Sequence, residues 1–203
     1  VTISFNGILW LFAREDAITQ TIQNTGSFEP EIFKLVQRYL NTSHNGILVD
    51  VGANVGTMTS AALSMGRRVI AIEALPSNAN LLWCSASNLG WTHPLKLYNI
   101  PLAESKTDPV HFCVCRPPEN PTDGILVPKE KFSEVCSGIL KTEQRCDDEI
   151  QAATLDDLRI TDPIAMMKID IEGNECRALK GSVATIKKSA PCVVLAEFNP
   201  GLQ

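Results

Sequence analysis

The sequence predicts an α/β domain with a mainly parallel sheet flanked by helices, and three observations carry that prediction. From residue 47 onward, short aliphatic and β-branched segments alternate with helix-like ones, strand–helix–strand–helix–strand and then strand–helix–strand. A glycine turn, Gly52-Ala53-Asn54-Val55-Gly56, joins the first of these strands to its helix. Four acids, Asp50, Glu73, Asp170 and Glu197, end four strands or lie just beyond them. Right-handed crossovers bring the carboxyl ends of parallel strands to one edge, so these acids are expected to rim one crevice. At a strand end a carboxylate can meet a ligand or backbone donors, whereas in mid-strand its burial would be costly.

Taken in order, residues 2–12 read as one or two short strands around Asn6-Gly7, a hairpin-turn dipeptide. Ser27-Phe28-Glu29-Pro30 opens a helix, with proline in its first turn and Glu29 and Glu31 at its positive end. Ile32, Val36, Tyr39 and Leu40 recur on one face of it, and residues 1–45 read as a cap concerned with packing. The domain proper spans 46–203. Its strands are expected at 47–51, 69–72, 95–100, 164–169 and 192–196, with a short extra strand at 110–114. Helices fill the intervals: one to Met65 closed by Gly66, one from Pro76 to Leu89, and one over 174–188 broken near Gly181. Thr154-Leu155-Asp156-Asp157 has the form of a helix-start box. Residues 116–151, rich in Pro, Asp and Glu, are too long for an ordinary connection and read as an insertion or lid over the ligand side, with a short hairpin or helix inside.

Bulk composition excludes several classes. At 203 residues, 44% hydrophobic and 20% charged, the chain suits a soluble globular domain. A net charge of −5 with no basic run argues against nucleic-acid binding, which needs clustered cations. No apolar run approaches the roughly 20 residues of a membrane span. The seven cysteines, odd in number and scattered, read as buried thiols rather than a disulfide framework. That implies a reducing compartment and favours the cytoplasm. The absent initiator methionine and the end at Gln203 suggest a fragment, with a sheet cut short unless the N-terminal strands complete it.

The chemistry centres on the glycine turn and the strand-end acids. The N–H groups opening the helix after Gly56 offer donors to a polar or anionic ligand. Glu73 follows the turn at the interval of an acid that binds ribose hydroxyls. A nicotinamide dinucleotide and S-adenosylmethionine both fit that pattern. Asn54 would crowd a pyrophosphate but could bond an amino-acid carboxylate or ammonium, which favours S-adenosylmethionine. Lys168 and Asp170 share one strand face by period two and are expected to pair.

VDVGANVGTMT, AIEALPSN, TLDDL, MKIDIEGNECRALKG and VVLAEF together resemble the FkbM family of methyltransferases over about 46–199. The resemblance implies the Rossmann-like class I methyltransferase fold and methyl transfer from S-adenosyl-L-methionine to a hydroxyl, typically of a sugar or another small metabolite. By that resemblance Gly52, Ala53, Asn54 and Gly56 would surround the methionine part of the cofactor, with Asp50 anchoring the turn through backbone N–H groups. Glu73 would hold the ribose, and Ala74, Leu75 and Leu102 would flank the adenosine; Glu104 departs from the family's usual form there. Asp170 is the candidate base and Glu172 the second, although Glu172 equally suits a helix cap. Asp170, Glu197 and Asn199 also resemble the oxygen set of a magnesium-dependent catechol-type enzyme, but no metal is assigned. The expected partner is a small-molecule hydroxyl acceptor, with no nucleic acid. Two rivals stand beside this reading, a nicotinamide-dependent oxidoreductase and a non-catalytic cofactor-binding module. His44, His93 and His111 fall where no catalytic role is expected.

Overall fold

The computed structural model describes residues 1–13, 16–42, 45–105, 111–115, 124–140, 146 and 149–197. The chain opens with an antiparallel hairpin, β1 (Thr2–Phe5) and β2 (Ile8–Leu11), whose turn residues Asn6 and Gly7 both have positive φ, at 48° and 81°. That conformation is why Asn-Gly is favoured in two-residue hairpin turns. Helix α1 (Ala17–Thr25), which the sequence reading missed, follows. Its N-cap is Asp16, whose Oδ1 accepts from the Thr19 backbone N–H at 2.9 Å, and Gly26 closes it in the left-handed conformation. Three threonines, Thr19, Thr21 and Thr25, lower its intrinsic helicity and mask the Ile18–Ile22 spacing. Helix α2 (Pro30–Thr42) then buries Phe33, Val36 and Leu40.

Next come β3 (Ile47–Val51), α3 (Thr57–Ser64), β4 (Val69–Ile72), α4 (Pro76–Asn88) and β5 (Leu95–Tyr98). The stretch from residue 111 to 151 contributes β6 (His111–Cys115), β7 (Ile125–Pro128), α5 (Phe132–Leu140) and β8 (Glu149–Gln151). After the 3-10 turn Leu155–Leu158, the chain completes β9 (Ile164–Ile169), α6 (Glu175–Lys180), α7 (Val183–Ser189) and β10 (Val193–Ala196). The expected box at the 3-10 turn is present: Thr154 Oγ1 accepts from the Asp157 backbone N–H, and the Asp157 carboxylate accepts from that of Thr154. The expected helix over 174–188 is broken, as anticipated, at Gly181. A Cβ there would lie 2.2 Å from the carbonyl oxygen of Ala103, so only glycine fits.

Five strands form one parallel sheet in the order β10-β9-β3-β4-β5. The order reverses at β3 and β9, the switch point where open α/β sheets bind ligands. Alternation along β3 fills two cores. Leu48 faces one shared with the hairpin, α1, α2, α3 and α4, while Ile47, Val49 and Val51 face another with Leu155, Ile160 and Ala178. The first 45 residues therefore share the main core. Their hairpin forms its own two-stranded sheet against α4 and does not lengthen the parallel sheet, and among the described residues β10 is an outer strand of that sheet. None of the described helices is long and apolar enough to cross a membrane.

The segment expected as a lid joins β6, the extra strand expected before it, in a separate antiparallel sheet, β7-β6-β8, with a small core of Cys113, Cys115, Val127, Phe132 and Cys136. Here the cysteine reading is corrected. Cys113 is bonded to Cys146 and Cys115 to Cys136. Cys113 and Cys115 do share one strand face, as expected, and each meets another cysteine there. Counting all seven concealed the pairing, because Cys84, Cys176 and Cys192 form no disulfide and are exposed while the four bonded thiols cluster in one segment. The inference of a reducing compartment, which rested on the absence of disulfides, falls with it.

Candidate active site

A cavity of about 350 Å³ opens at the carboxyl ends of the parallel strands, a size typical of small-molecule sites. Its floor is the glycine turn after β3. The ends of β4 and β5 supply Glu73, Ala74, Leu75 and Leu102, and the ends of β9 and β10 supply Lys168, Asp170, Glu172 and Glu197. The four strand-end acids thus do gather at one edge, but not all on the cavity surface.

Gly52, Ala53 and Asn54 lie on the floor. Gly52 has φ 75°, and a Cβ on it would fall 1.8 Å from the carbonyl oxygen of Asp170. Its freedom therefore serves the close approach of the β3 and β9 ends as much as any ligand. Asn54, also at positive φ (50°), accepts from Asn78 Nδ2 through its side-chain oxygen at 3.0 Å, which fixes the turn against α4. Gly56 is absent from the cavity wall. A Cβ there would meet Leu82 at 2.8 Å and Trp10 at 2.9 Å, so its lack of a side chain makes room for packing. The Trp10 indole N–H donates to the Val55 carbonyl at 2.6 Å and pins the turn from behind.

Glu73 is buried at the end of β4. One carboxylate oxygen accepts from the Asn54 N–H at 2.7 Å and the other from the Leu75 N–H at 2.8 Å. Burial pushes its pKa up to about 7 against the opposing pull of those two bonds. Each oxygen keeps a further lone pair, so Glu73 can both brace the turn and accept from a ligand. Ala74 is held in place by Asn99, whose amide donates to the carbonyls of Glu73 and Ala74 at 2.7 and 2.9 Å. Glu104, the looser match, instead pairs with Lys180 at 3.1 Å and does not border the cavity.

Asp50 and Lys168 sit opposite one another in the β3–β9 register, which places their side chains on one face. Lys168 Nζ lies 3.1 Å from Asp170 and 3.8 Å from Asp50 and donates to the Gly52 carbonyl at 3.1 Å. The expected Lys168–Asp170 pair is present. Asp50 is wholly buried beneath the cavity, so its expected place beside the cofactor is corrected. It accepts from the Thr59 hydroxyl at 2.7 Å, not from the turn's N–H groups, and burial raises its pKa despite Lys168. It is Lys168 that reaches the turn.

Asp170 is half-buried. Burial alone would raise its pKa, but Lys168 and a hydrogen bond from Glu197 hold it below the usual carboxylate range. Glu197 is raised to about 7 by that hydrogen bond and by the Asp170 charge. Oxygens of Asp170, Glu172 and Glu197 come within 4.8 Å of one another, a set that could hold a metal ion; Asn199 lies outside the described residues. Among the described residues no side chain caps α6 at its N-cap, Asn174, so the capping role weighed for Glu172 is not filled, and Glu175 instead braces the loop ahead of the helix. Its Oε1 accepts from the N–H groups of Ile171 and Gly173 at 2.9 and 3.2 Å, leaving Glu172, at φ 51°, on the cavity wall.

Two further walls border the cavity, and the first of them escaped sequence reasoning. Ala17, Ile18, Phe28 and Glu29 from the N-terminal segment border the cavity, so that segment is more than a packing cap. Phe112 and Leu126 from the disulfide-linked sheet form the other, tied down where Asn174 Nδ2 donates to the Leu126 carbonyl at 3.3 Å. The run Ser27 to Pro30 did mark a helix start, but nothing in it showed that the helix opens over a ligand. His93 and His111 are exposed, with His111 paired to Glu149 at 2.9 Å; His44 lies outside the described residues.

Several solved structures are similar to this chain. One is a methyltransferase from Geobacter sulfurreducens, 11% identical, covering 92% of this chain and 75% of its own, with a TM-score of 0.42. Another is a putative RNA methyltransferase from Pyrococcus horikoshii, 10% identical over 86% of this chain and 63% of its own, with a TM-score of 0.37. A third, a SAM-dependent methyltransferase from Thiobacillus denitrificans in complex with S-adenosyl-L-homocysteine, is 21% identical over 40% of this chain, with a TM-score of 0.34. The matched part spans 33% of that chain's length. No curated protein is significantly similar in sequence. The family model for the methyltransferase FkbM domain matches residues 50–202, from the acid at the end of β3 to beyond β10, and the chain belongs to that family.

Proposed function

We propose that this protein transfers a methyl group from S-adenosylmethionine to a hydroxyl oxygen of a small acceptor such as a sugar. The observation that carries this reading, in a chain of this family, is the convergence of Glu73 and the Lys168–Asp170 pair on one cavity at the strand ends.

The residues present fit such a donor. Glu73 has lone pairs to accept from two ribose hydroxyls, Ala74, Leu75 and Leu102 offer an apolar bed for the adenine, and the glycine floor leaves room for the methionine part. Among the described residues the wall carries Glu29, Glu73, Asp170, Glu172 and Glu197 against a single cation, Lys168. That balance suits a sulfonium and disfavours a pyrophosphate, which speaks against the nicotinamide alternative.

When bound, the donor supplies a methyl group made electrophilic by its sulfonium. Asp170, kept ionised by Lys168, would take the acceptor's hydroxyl proton while the methyl passes from sulfur to oxygen and S-adenosylhomocysteine leaves, and Glu172 would orient the same hydroxyl. Alignment of the two reactants contributes much of the acceleration, and a positioned base adds roughly 10²–10⁴-fold. The two disulfides favour an oxidising compartment over the cytoplasm. Calorimetric titration of the folded protein with S-adenosylhomocysteine tests the reading: a saturable heat is expected, and its absence would sink it.

A further inference from the structure

Among the described residues Glu29 is the one acid on the cavity wall that comes from outside the family's matched region. Its setting is built. Phe28 packs against the main core on one side, Pro30 begins α2 on the other, and the Glu29 carbonyl accepts from the Phe33 N–H at 3.0 Å. Its backbone holds φ at 44°, a conformation that a non-glycine residue keeps only when its surroundings impose it. It lines the same cavity as Lys168 and Asp170, and burial raises its pKa, with Lys168, Asp170 and Asp50 as the nearby charges.

The charge it could have shared is already committed. Lys168 is matched by Asp170 and Asp50 and donates to Gly52. No other Lys or Arg stands on the wall among the described residues. An acceptor bearing phosphate or carboxylate would meet Glu29 and Asp170 with no described cation left to receive it. A hydroxyl or ammonium, by contrast, would find an exposed carboxylate acceptor.

We propose, resting on the methyl-transfer reading, that Glu29 selects the acceptor by charge. It admits neutral polyhydroxyl and amine-bearing compounds and rejects phosphorylated ones, free or within a nucleic acid. Exclusion of the wrong partner by an unmatched like charge is a common source of specificity.

The test uses the full chain loaded with S-adenosylhomocysteine and titrated calorimetrically with methyl glucoside, glucosamine and glucose 6-phosphate. Binding of the phosphate ester is expected to be at least about tenfold weaker than that of the other two. Glu29→Lys should bring the phosphate ester level with, or above, methyl glucoside, and Glu29→Gln should narrow the tenfold gap and leave glucosamine and methyl glucoside equal. Cofactor affinity should stay within about threefold in both variants, since Glu29 belongs to the acceptor side; a larger loss would overturn that placement. The proposal also fails if the phosphate ester binds wild type best, if Glu29→Lys leaves the order unchanged, or if none of the three binds. Failure of S-adenosylhomocysteine itself to bind sinks the methyl-transfer reading, and this proposal with it, and is read separately in the loading step.

Discussion

The two sheets that border the cavity are built in opposite ways. In the parallel sheet β3, β4 and β9 are buried along their whole length, and each of these strands has a neighbour on both sides. The antiparallel sheet has three strands of three to five residues over a handful of buried side chains, and two disulfides bind it together. A core that small rarely supports itself, which is the usual reason for covalent staples. The donor side of the cavity thus rests on burial within the fold, and the face that presents Phe112 and Leu126 rests on sulfur–sulfur bonds. One side tolerates changes of redox state and the other does not.

The largest effect expected is on the parallel sheet. Gly52→Ala puts a methyl group against the Asp170 carbonyl at a positive φ, forcing β3 and β9 apart. A loss of roughly 3–5 kcal/mol, visible as a lowered denaturant midpoint, is expected; an unchanged midpoint would mean that the two strand ends are not in contact. Asp170→Asn comes next, lowering turnover by roughly 10²–10⁴-fold with little change in S-adenosylhomocysteine affinity. Equal losses in both would remove Asp170 from the role of base.

A smaller and more local effect separates the two sheets directly. Replacing Cys113 and Cys115 with serine should cost about 2–5 kcal/mol in the antiparallel sheet, seen as faster hydrogen exchange over 111–151. Exchange in β3, β4 and β9 should stay slow, and cofactor binding should survive; a single cooperative collapse of both sheets would contradict the division. The mildest test is pH. Ribose hydroxyls donating to Glu73 would favour its ionised form, so binding lowers a pKa that stands at about 7 in the free protein and releases a proton. Affinity for S-adenosylhomocysteine should therefore rise with pH up to about 7 and level off above it, while Glu73→Gln binds more weakly and without that slope.

The same division decides what could be read from the sequence. The five core strands fall within two residues of their expected bounds, because a doubly buried strand must be a continuous apolar run bracketed by turn residues. The strand-end acids were legible for the same reason, since topology alone brings them together. What they touch was not. Asp50 turned down to Thr59, Gly56 faced Leu82 and Trp10, and Glu175, rather than Glu172, took the N–H groups around the β9–α6 turn. Each of these depends on a partner distant in sequence or on a rotation of one residue around a turn. The cysteine pairs were hidden likewise, because a disulfide is a property of two positions and the sequence displays only one at a time. Helix α1 escaped because its threonines weaken the very periodicity by which helices are recognised.

The bond from Trp10 to Val55 has one more use. Trp10 is fully buried, hydrogen-bonded to the floor of the site and 6.2 Å from the ring of Trp91, whereas Trp83, the third indole of the chain, is 45% exposed. The fold has thereby placed a native fluorophore directly beneath the cavity. A shift in the emission of Trp10, with that of Trp83 quenched by iodide, would follow occupancy of the glycine turn in real time, with no label attached.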